Sequence, residues 1–435
     1  MPPASNKVQP WKIRRGAPRG RPTQQGGHKG RPYDASGARP ARRLPRLALS
    51  RNKHEPEPAK NSENLKEEKM HALRTSALAL TSMIMLAVLG SGPQAFAQSP
   101  APPLPQPSAA HPWVQGAPFP EPSEEVLGAS AGGKLYVFAG LAPGWKPKAM
   151  VMEYDPSANS WTKKQPMRLA SHHVAFASLG NKIYAFGGFT FPTSGAPGWT
   201  PVNNAWEYDP VSDQWKELAP MPTTRGAAAA GVVNGKIYVT GGVASLPGVN
   251  ENGIHPARAQ NVLATVEEYD PATNSWRTVR PLLLARNHHV AAGVGDKLYV
   301  IGGRVGSGFI TRASNNVDLV EMYDPASDLW TPRERMPTAR SAIGGGVYNN
   351  HILVAGGEGQ DQRLLAAYKA VEAFDTTLNR WDVLPSMPHQ RHGLAAGVIG
   401  NRFYTVSGDA QSAGNGIEHS AVVFNEILQL DLVLK

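Results

Sequence analysis

The sequence predicts an all-β fold, a six-bladed propeller of four-stranded antiparallel blades, and three observations carry that expectation. An aromatic-Asp pair recurs along the chain, a tryptophan follows each aromatic at a fixed distance, and a glycine pair follows each tryptophan at another. Composition agrees, because 44 Gly and 39 Pro beside 10 Trp and 12 Tyr suit short strands joined by tight turns.

The tetrapeptide Glu153-Tyr154-Asp155-Pro156 returns as Glu207-Tyr208-Asp209-Pro210, Glu268-Tyr269-Asp270-Pro271, Met322-Tyr323-Asp324-Pro325 and, degraded, Ala373-Phe374-Asp375-Thr376. Seven residues past each aromatic stands Trp161, Trp215, Trp276, Trp330 or Trp381. Twenty-one residues past each Trp an apolar run opens, as in Lys182-Ile183-Tyr184-Ala185-Phe186, and ends on Gly187-Gly188, Gly241-Gly242, Gly302-Gly303, Gly356-Gly357 or Ser407-Gly408. A repeat of this length is one supersecondary unit whose apolar faces are buried only by its neighbours. Glycine permits the backbone turn that ends a second strand, Asp-Pro starts the turn between third and fourth strands, and the Trp packs between blades.

These residues resemble the Kelch repeat, and the resemblance covers about residues 113–435. The sixth unit ends at Lys435 without a Trp strand of its own. Trp113 supplies it, since Pro118, Phe119 and Pro120 follow it as Pro220, Met221 and Pro222 follow Trp215. The N-terminal strand therefore completes the last blade and leaves no sheet edge open.

Function is expected where the repeat stops repeating. From the second glycine to the next aromatic the spacing runs 14, 20, 27, 20 and 17 residues, so the loops between second and third strands carry the variation and share one face. Ten residues past each Trp, at the mouth of the channel, stand Ser123, Ser171, Arg225, Arg286, Arg340 and Arg391. An arc of arginines suits an acidic peptide or a sugar carboxylate, which guanidinium binds bidentately; the alternative is that they anchor loops or pair with Glu358, Asp361, Asp409 and Glu418. The next position adds Glu124, His172, Asn287 and His392. Trp145 and Trp199, each in an Ala-Pro-Gly-Trp loop, are either plates for stacking a sugar or plugs folded over the channel. The histidines lie at different depths along the strands, and no metal or other cofactor is expected.

The Kelch resemblance implies a binding module for a peptide or carbohydrate with an acidic group. It also implies, more distantly, a periplasmic sialic-acid mutarotase, in which Glu124 would be the base and the arginines the carboxylate clamp. The galactose oxidase copper site is excluded, because it needs a cysteine and the chain has none.

Residues 70–97 read as a signal peptide, with Arg74, an apolar run too short to span a bilayer comfortably, and Ala95-Phe96-Ala97 before the cleavage point. Residues 98–112 are a linker. The expectation is a periplasmic or secreted monomer without a membrane span. The simplest account of residues 1–69 is a start at Met70, the alternative a disordered basic tail. Those residues hold 17 Lys/Arg against 6 Asp/Glu, so the remainder holds 27 against 28; the basic pI belongs to the extension, and no nucleic-acid partner is expected for the folded part.

Overall fold

The computed structural model describes residues 103–434, apart from 195–197, 249–252, 256–259, 311–314, 361–364 and 413–419. The signal segment and the basic extension lie outside the described residues, as do Asp361 and Glu418. Among the described residues no helix is long and apolar enough to cross a membrane.

Six four-stranded antiparallel sheets follow one another. Blade 1 runs Glu124–Ala131, Lys134–Ala142, Val151–Asp155 and Ser160–Lys163, and blades 2 to 5 repeat the order with first strands Ala175–Leu179, Ala229–Val233, Val290–Val294 and Gly344–Tyr348. Blade 6 takes Ala395–Ile399, Arg402–Val406 and Asn425–Gln429 from the end of the chain and Trp113–Gln115 from its beginning. The closing register is Trp113 opposite Leu428 and Gln115 opposite Glu426.

The tryptophans fasten the blades in sequence. Each indole Nε1 donates to a backbone carbonyl of the preceding blade: Trp161 to Ala117, Trp215 to Gln165, Trp276 to Ala219, Trp330 to Arg280, Trp381 to Glu334 and Trp113 to Pro385, at 2.8 to 3.1 Å. Trp113 thus makes the same bond as its five counterparts. The repeating tyrosines are just as specific, for Tyr154, Tyr208, Tyr269 and Tyr323 each donate to Asn159, Asp213, Asn274 or Asp328 five residues on. That Asx residue has a φ of 47 to 55° and its oxygen also accepts a backbone N–H of the preceding blade.

The glycine pair serves the same joints. The second glycine donates its N–H to the carbonyl of the residue ten past the next Trp, as Gly188 does to Arg225 and Gly357 to Arg391. At the first position a Cβ on Gly187 would lie 2.3 Å from the Arg225 carbonyl oxygen at φ 60°, whereas Ala139 and Ser407 hold the same place in blades 1 and 6 at φ 64 and 53°. Where Ser407 replaces that glycine, its hydroxyl donates to the carbonyl of Ser123 instead. The innermost strands crowd still more closely, and a Cβ on Gly293 would meet the Val232 carbonyl at 1.7 Å. They enclose an axial cavity of about 360 Å³ lined by Gly, Ala and Val.

Candidate functional site: the axis beneath the loop face

The four arginines expected at the mouth are wholly buried inside their blades. Each pairs with a glutamate of its own third strand, two residues before the aromatic or, in blade 6, before Leu428: Arg225 with Glu267 at 2.5 Å, Arg286 with Glu321 at 3.0 Å, Arg340 with Glu372 and Arg391 with Glu426, both at 2.6 Å. Other N–H groups reach backbone carbonyls, such as Gly241 and Thr265 for Arg225, while among the described residues none accepts from the four Nε atoms. Burial lowers the Arg391 pKa to about 10, partly offset by Glu426. In the two blades that begin with Ser123 and Ser171, the glutamate position holds Met152 and Trp206. Arginine and glutamate therefore come and go together, and the serine hydroxyls donate to the carbonyls of Leu141 and Leu169. The geometry is that of a packing alternative rather than of an open cationic arc.

The residues that do face the axis lie one or two positions further on. Twelve residues past the six tryptophans stand Glu125, His173, Ala227, His288, Ala342 and Gly393, all left-handed with φ between 51 and 56°. Their backbones hand a hydrogen bond around the ring, from Ala227 to His173, His288 to Ala227, Ala342 to His288 and Gly393 to Ala342, each 3.0 Å, with Val126 closing onto Gly393 at 3.1 Å. Left-handed geometry costs about 1–2 kcal/mol for a side-chain-bearing residue, and the ring of bonds holds it in place.

Three of those side chains meet. Glu125, His173 and His288 bring a ligand-capable atom each to within 4.8 Å of one another, and all three are buried. The Glu125 Oε2 lies 3.2 Å from His173 Nε2, out of hydrogen-bonding alignment. His173 Nδ1 lies 2.5 Å from His172 Nδ1, and the rings of His173 and His288 are 4.6 Å apart. His288 donates from Nδ1 to Asn287 Oδ1 at 2.5 Å, and its Nε2 accepts from Arg304 at 2.9 Å. Arg304 in turn donates to Glu358 at 2.7 Å and to Ser341 at 3.1 Å. His392 stands 3.7 Å from Glu358 and 3.9 Å from Glu125.

Charge is divided sharply within this cluster. Burial pushes the Glu125 carboxyl up, but His173, His392 and Arg304 outweigh it and hold it at about 2. Burial pushes His392 down, and the surrounding Glu358, Glu125, Glu124 and Asp409 raise it to about 9. His172 and His288 stay neutral, driven far below the ordinary imidazole value by burial and then by His173 and Arg304 respectively. The cluster therefore holds fixed charges at neutral pH.

An aromatic roof covers it. Trp199 is buried and stacks on Phe309 at 3.8 Å, with its ring 4.7 Å from His173 and 5.1 Å from His172. Trp145, half-buried at φ 60°, lies 5.6 Å from Phe309 and 6.4 Å from Trp199. Of the expected residues the structure brings together His172, Asn287, His392, Trp145 and Trp199; Glu124 is buried with its own partners, and the four arginines lie within their blades.

Comparison with known proteins agrees with this frame. Residues 107–303 match the family described as KLHDC2/KLHL20/DRC7 Kelch-repeats domain, and residues 285–337 match the Kelch motif. This chain belongs to the Kelch-repeat family. Its Kelch segment is 27% identical to Kelch-like protein 25 of Xenopus tropicalis over 47% of this chain and 32% of that one. It is 30% identical to Kelch-like protein terF of Aspergillus terreus over 46% and 42%, and 32% identical to Kelch-like protein 15 of Danio rerio over 43% and 31%. The match thus spans less than half the length of these curated relatives. The solved structure of YjhT superposes with a TM-score of 0.56 at 19% identity, covering 71% of this chain and 95% of that one, which speaks for the fold alone.

Within the Kelch register Glu125 and Arg304 are the functional candidates that sequence reasoning missed. Glu125, His173 and His288 share one place in the repeat, twelve past the tryptophan, and that shared place was the available signal. Arg304 directly follows a glycine pair, where the other blades carry Leu141, Phe189, Val243, Glu358 and Asp409.

Proposed function

We propose that this Kelch propeller is an interaction module that meets its partner with the loop face. The observation that carries the reading is the roof of Trp199, Phe309 and Trp145, which covers the axial cluster and makes the loops themselves the contact surface. An axis capped by buried Trp199 and Phe309, with Trp145 half-buried above them, suits a peptide or a glycan docking on the loops more than it suits turnover of a sugar in the channel. The acidic group expected on the ligand finds its cation in the exposed Lys146 beside Trp145, since the arginines are paired within their blades. Export to the periplasm or outside the cell, with the signal peptide removed after Ala97, belongs to the same proposal.

The test is a thermal-shift screen of acidic peptides and sugar acids against the wild-type propeller and its Trp145→Ala and Lys146→Glu variants. A ligand whose stabilisation disappears in both variants supports the reading. Stabilisation that survives both removes the loop face from the proposal. An NMR measurement of anomerisation on the same sugars covers the mutarotase alternative: turnover lost in Glu124→Gln and Arg286→Ala would replace the binding module with an enzyme.

A further inference from the structure

We propose that Glu125, His173 and His288 hold one divalent transition-metal ion, of the zinc or cobalt class, on the propeller axis. Two imidazoles and a carboxylate are a donor set that such ions take, and the three donor atoms lie close enough for a single ion to reach all of them.

The hydrogen-bond pattern around the three groups points the same way. His288 donates its Nδ1 proton to Asn287, which leaves Nε2 as a lone pair, the outer-partner arrangement that orients a metal-binding histidine. His173 and His172 face each other through Nδ1 at 2.5 Å, so one of them carries a single shared proton. When His173 carries it, the His173 Nε2 is a lone pair 3.2 Å from a Glu125 oxygen and open to a cation between them; when His172 carries it, the His173 Nε2–H faces that carboxylate and is the proton a metal would displace. Among the described residues His173 Nε2 has no aligned hydrogen bond beyond the nearby Glu125 carboxylate, and neither ring nitrogen of His392 has a hydrogen-bond partner, although all are buried. Buried polar atoms in native proteins rarely go unpartnered.

Two further features bear on the ion. Arg304 occupies the His288 Nε2 lone pair, so the metal must displace one guanidinium hydrogen bond; Glu358, Ser341 and the Gly308 carbonyl keep the arginine held when it does. Two carboxylates, Glu125 and Glu358, also stand at the axis, 3.9 and 3.7 Å from His392, so anionic groups line the place the ion would take. The ring helps to fix the ligand positions, because the three residues share one backbone geometry and His173 and His288 are linked through Ala227.

The experiment loads chelator-stripped wild-type protein with Co²⁺ and with Zn²⁺, reading stoichiometry by calorimetry and ligand type by the visible Co²⁺ spectrum. The proposal expects one ion per chain. His173→Gln and His288→Gln should each weaken it by more than about 100-fold, the most that disturbing an outer partner alone costs. The surface variants His351→Gln and His389→Gln should leave it unchanged. Should the axial variants fail to fold, Cu²⁺-loaded wild type read by pulsed EPR must still show two coordinated imidazole nitrogens. No stoichiometric binding to wild type, retention in both axial variants, or loss in the surface variants would overturn the assignment.

Discussion

Removing Glu372 alone leaves the Arg340 guanidinium wholly buried with no counter-charge, because Glu372 Oε2 is its carboxylate partner at 2.6 Å. Breaking such a pair costs about 3–5 kcal/mol. A ring of ~320 residues unfolds with an entropy of about 0.7 kcal/mol per kelvin, so Glu372→Met should lower Tm by roughly 4–7 °C. The chain itself supplies the compensating partner, since blade 1 carries Ser123 and Met152 at the two equivalent positions. The double variant Arg340→Ser/Glu372→Met therefore removes the orphaned charge and keeps only the penalty of the smaller side chain, about 2 kcal/mol for a gap of some 80 Å³. Differential scanning calorimetry, with urea unfolding as the check on the slope, reads both variants. The double variant should be the more stable of the two. If it is no better than Glu372→Met, or if Glu372→Met costs less than about 1 kcal/mol, the ion pair is not what organises the blade.

Other joints make separate predictions. Gly187→Ala should destabilise more than Ser407→Ala, since the new Cβ would start 2.3 Å from the Arg225 carbonyl while the joints at Ala139 and Ser407 already hold a Cβ, and Ser407→Ala should cost only its hydrogen bonds; urea midpoints compare them. Trp113→Phe removes the indole bond to Pro385, worth about 1 kcal/mol, and should raise amide exchange selectively in Asn425–Gln429. Acid should act through the turn aspartates. Asp155, Asp209, Asp270 and Asp324 have pKa values lowered, Asp155 first by Lys134, Asp209 by the Val211 N–H, Asp270 by Lys236 and Asp324 by the Ala326 N–H. Their contribution is complete above the unfolded value of about 3.9 and is lost as pH falls towards the folded values, so Tm should fall between about pH 4 and pH 2. A Tm that rises over that interval would contradict the assignment.

The frame was legible because its residues act through short, local geometry. Tyr269 reaches Asn274 five residues on, and Trp276 reaches Ala219, four residues past Trp215, as every repeat Trp reaches the residue four past the Trp of the preceding blade, so a constant register in one dimension became a constant bond in three. Closure by Trp113 was legible for the same reason. The site was harder to read. Glu124 and Glu125 are neighbours in sequence, and only the left-handed backbone of Glu125 aims that residue at the axis, which no composition or period reports. The arginines were found at the right position with the wrong surroundings in view: their glutamates lie 32 to 42 residues away, across the variable loop, and the joint change to Ser with Met or Trp was the clue in the sequence. The loop residues that close the mouth, Trp199 on Phe309, come from different blades and have no common spacing.

The ring of left-handed residues amounts to a socket with six addresses. Each blade delivers one side chain to a common centre, and the backbone there is the same whether the residue is Glu125, His173 or Ala227. The chemistry at the centre can therefore be rewritten one letter at a time without renegotiating the scaffold. Ala227 and Ala342 are the two blank letters, where a new side chain inherits a conformation that a Cβ-bearing residue already tolerates. Gly393 is not blank: a Cβ there would press within 2.7 Å of the Glu125 backbone nitrogen, so that address is kept empty on behalf of its neighbour.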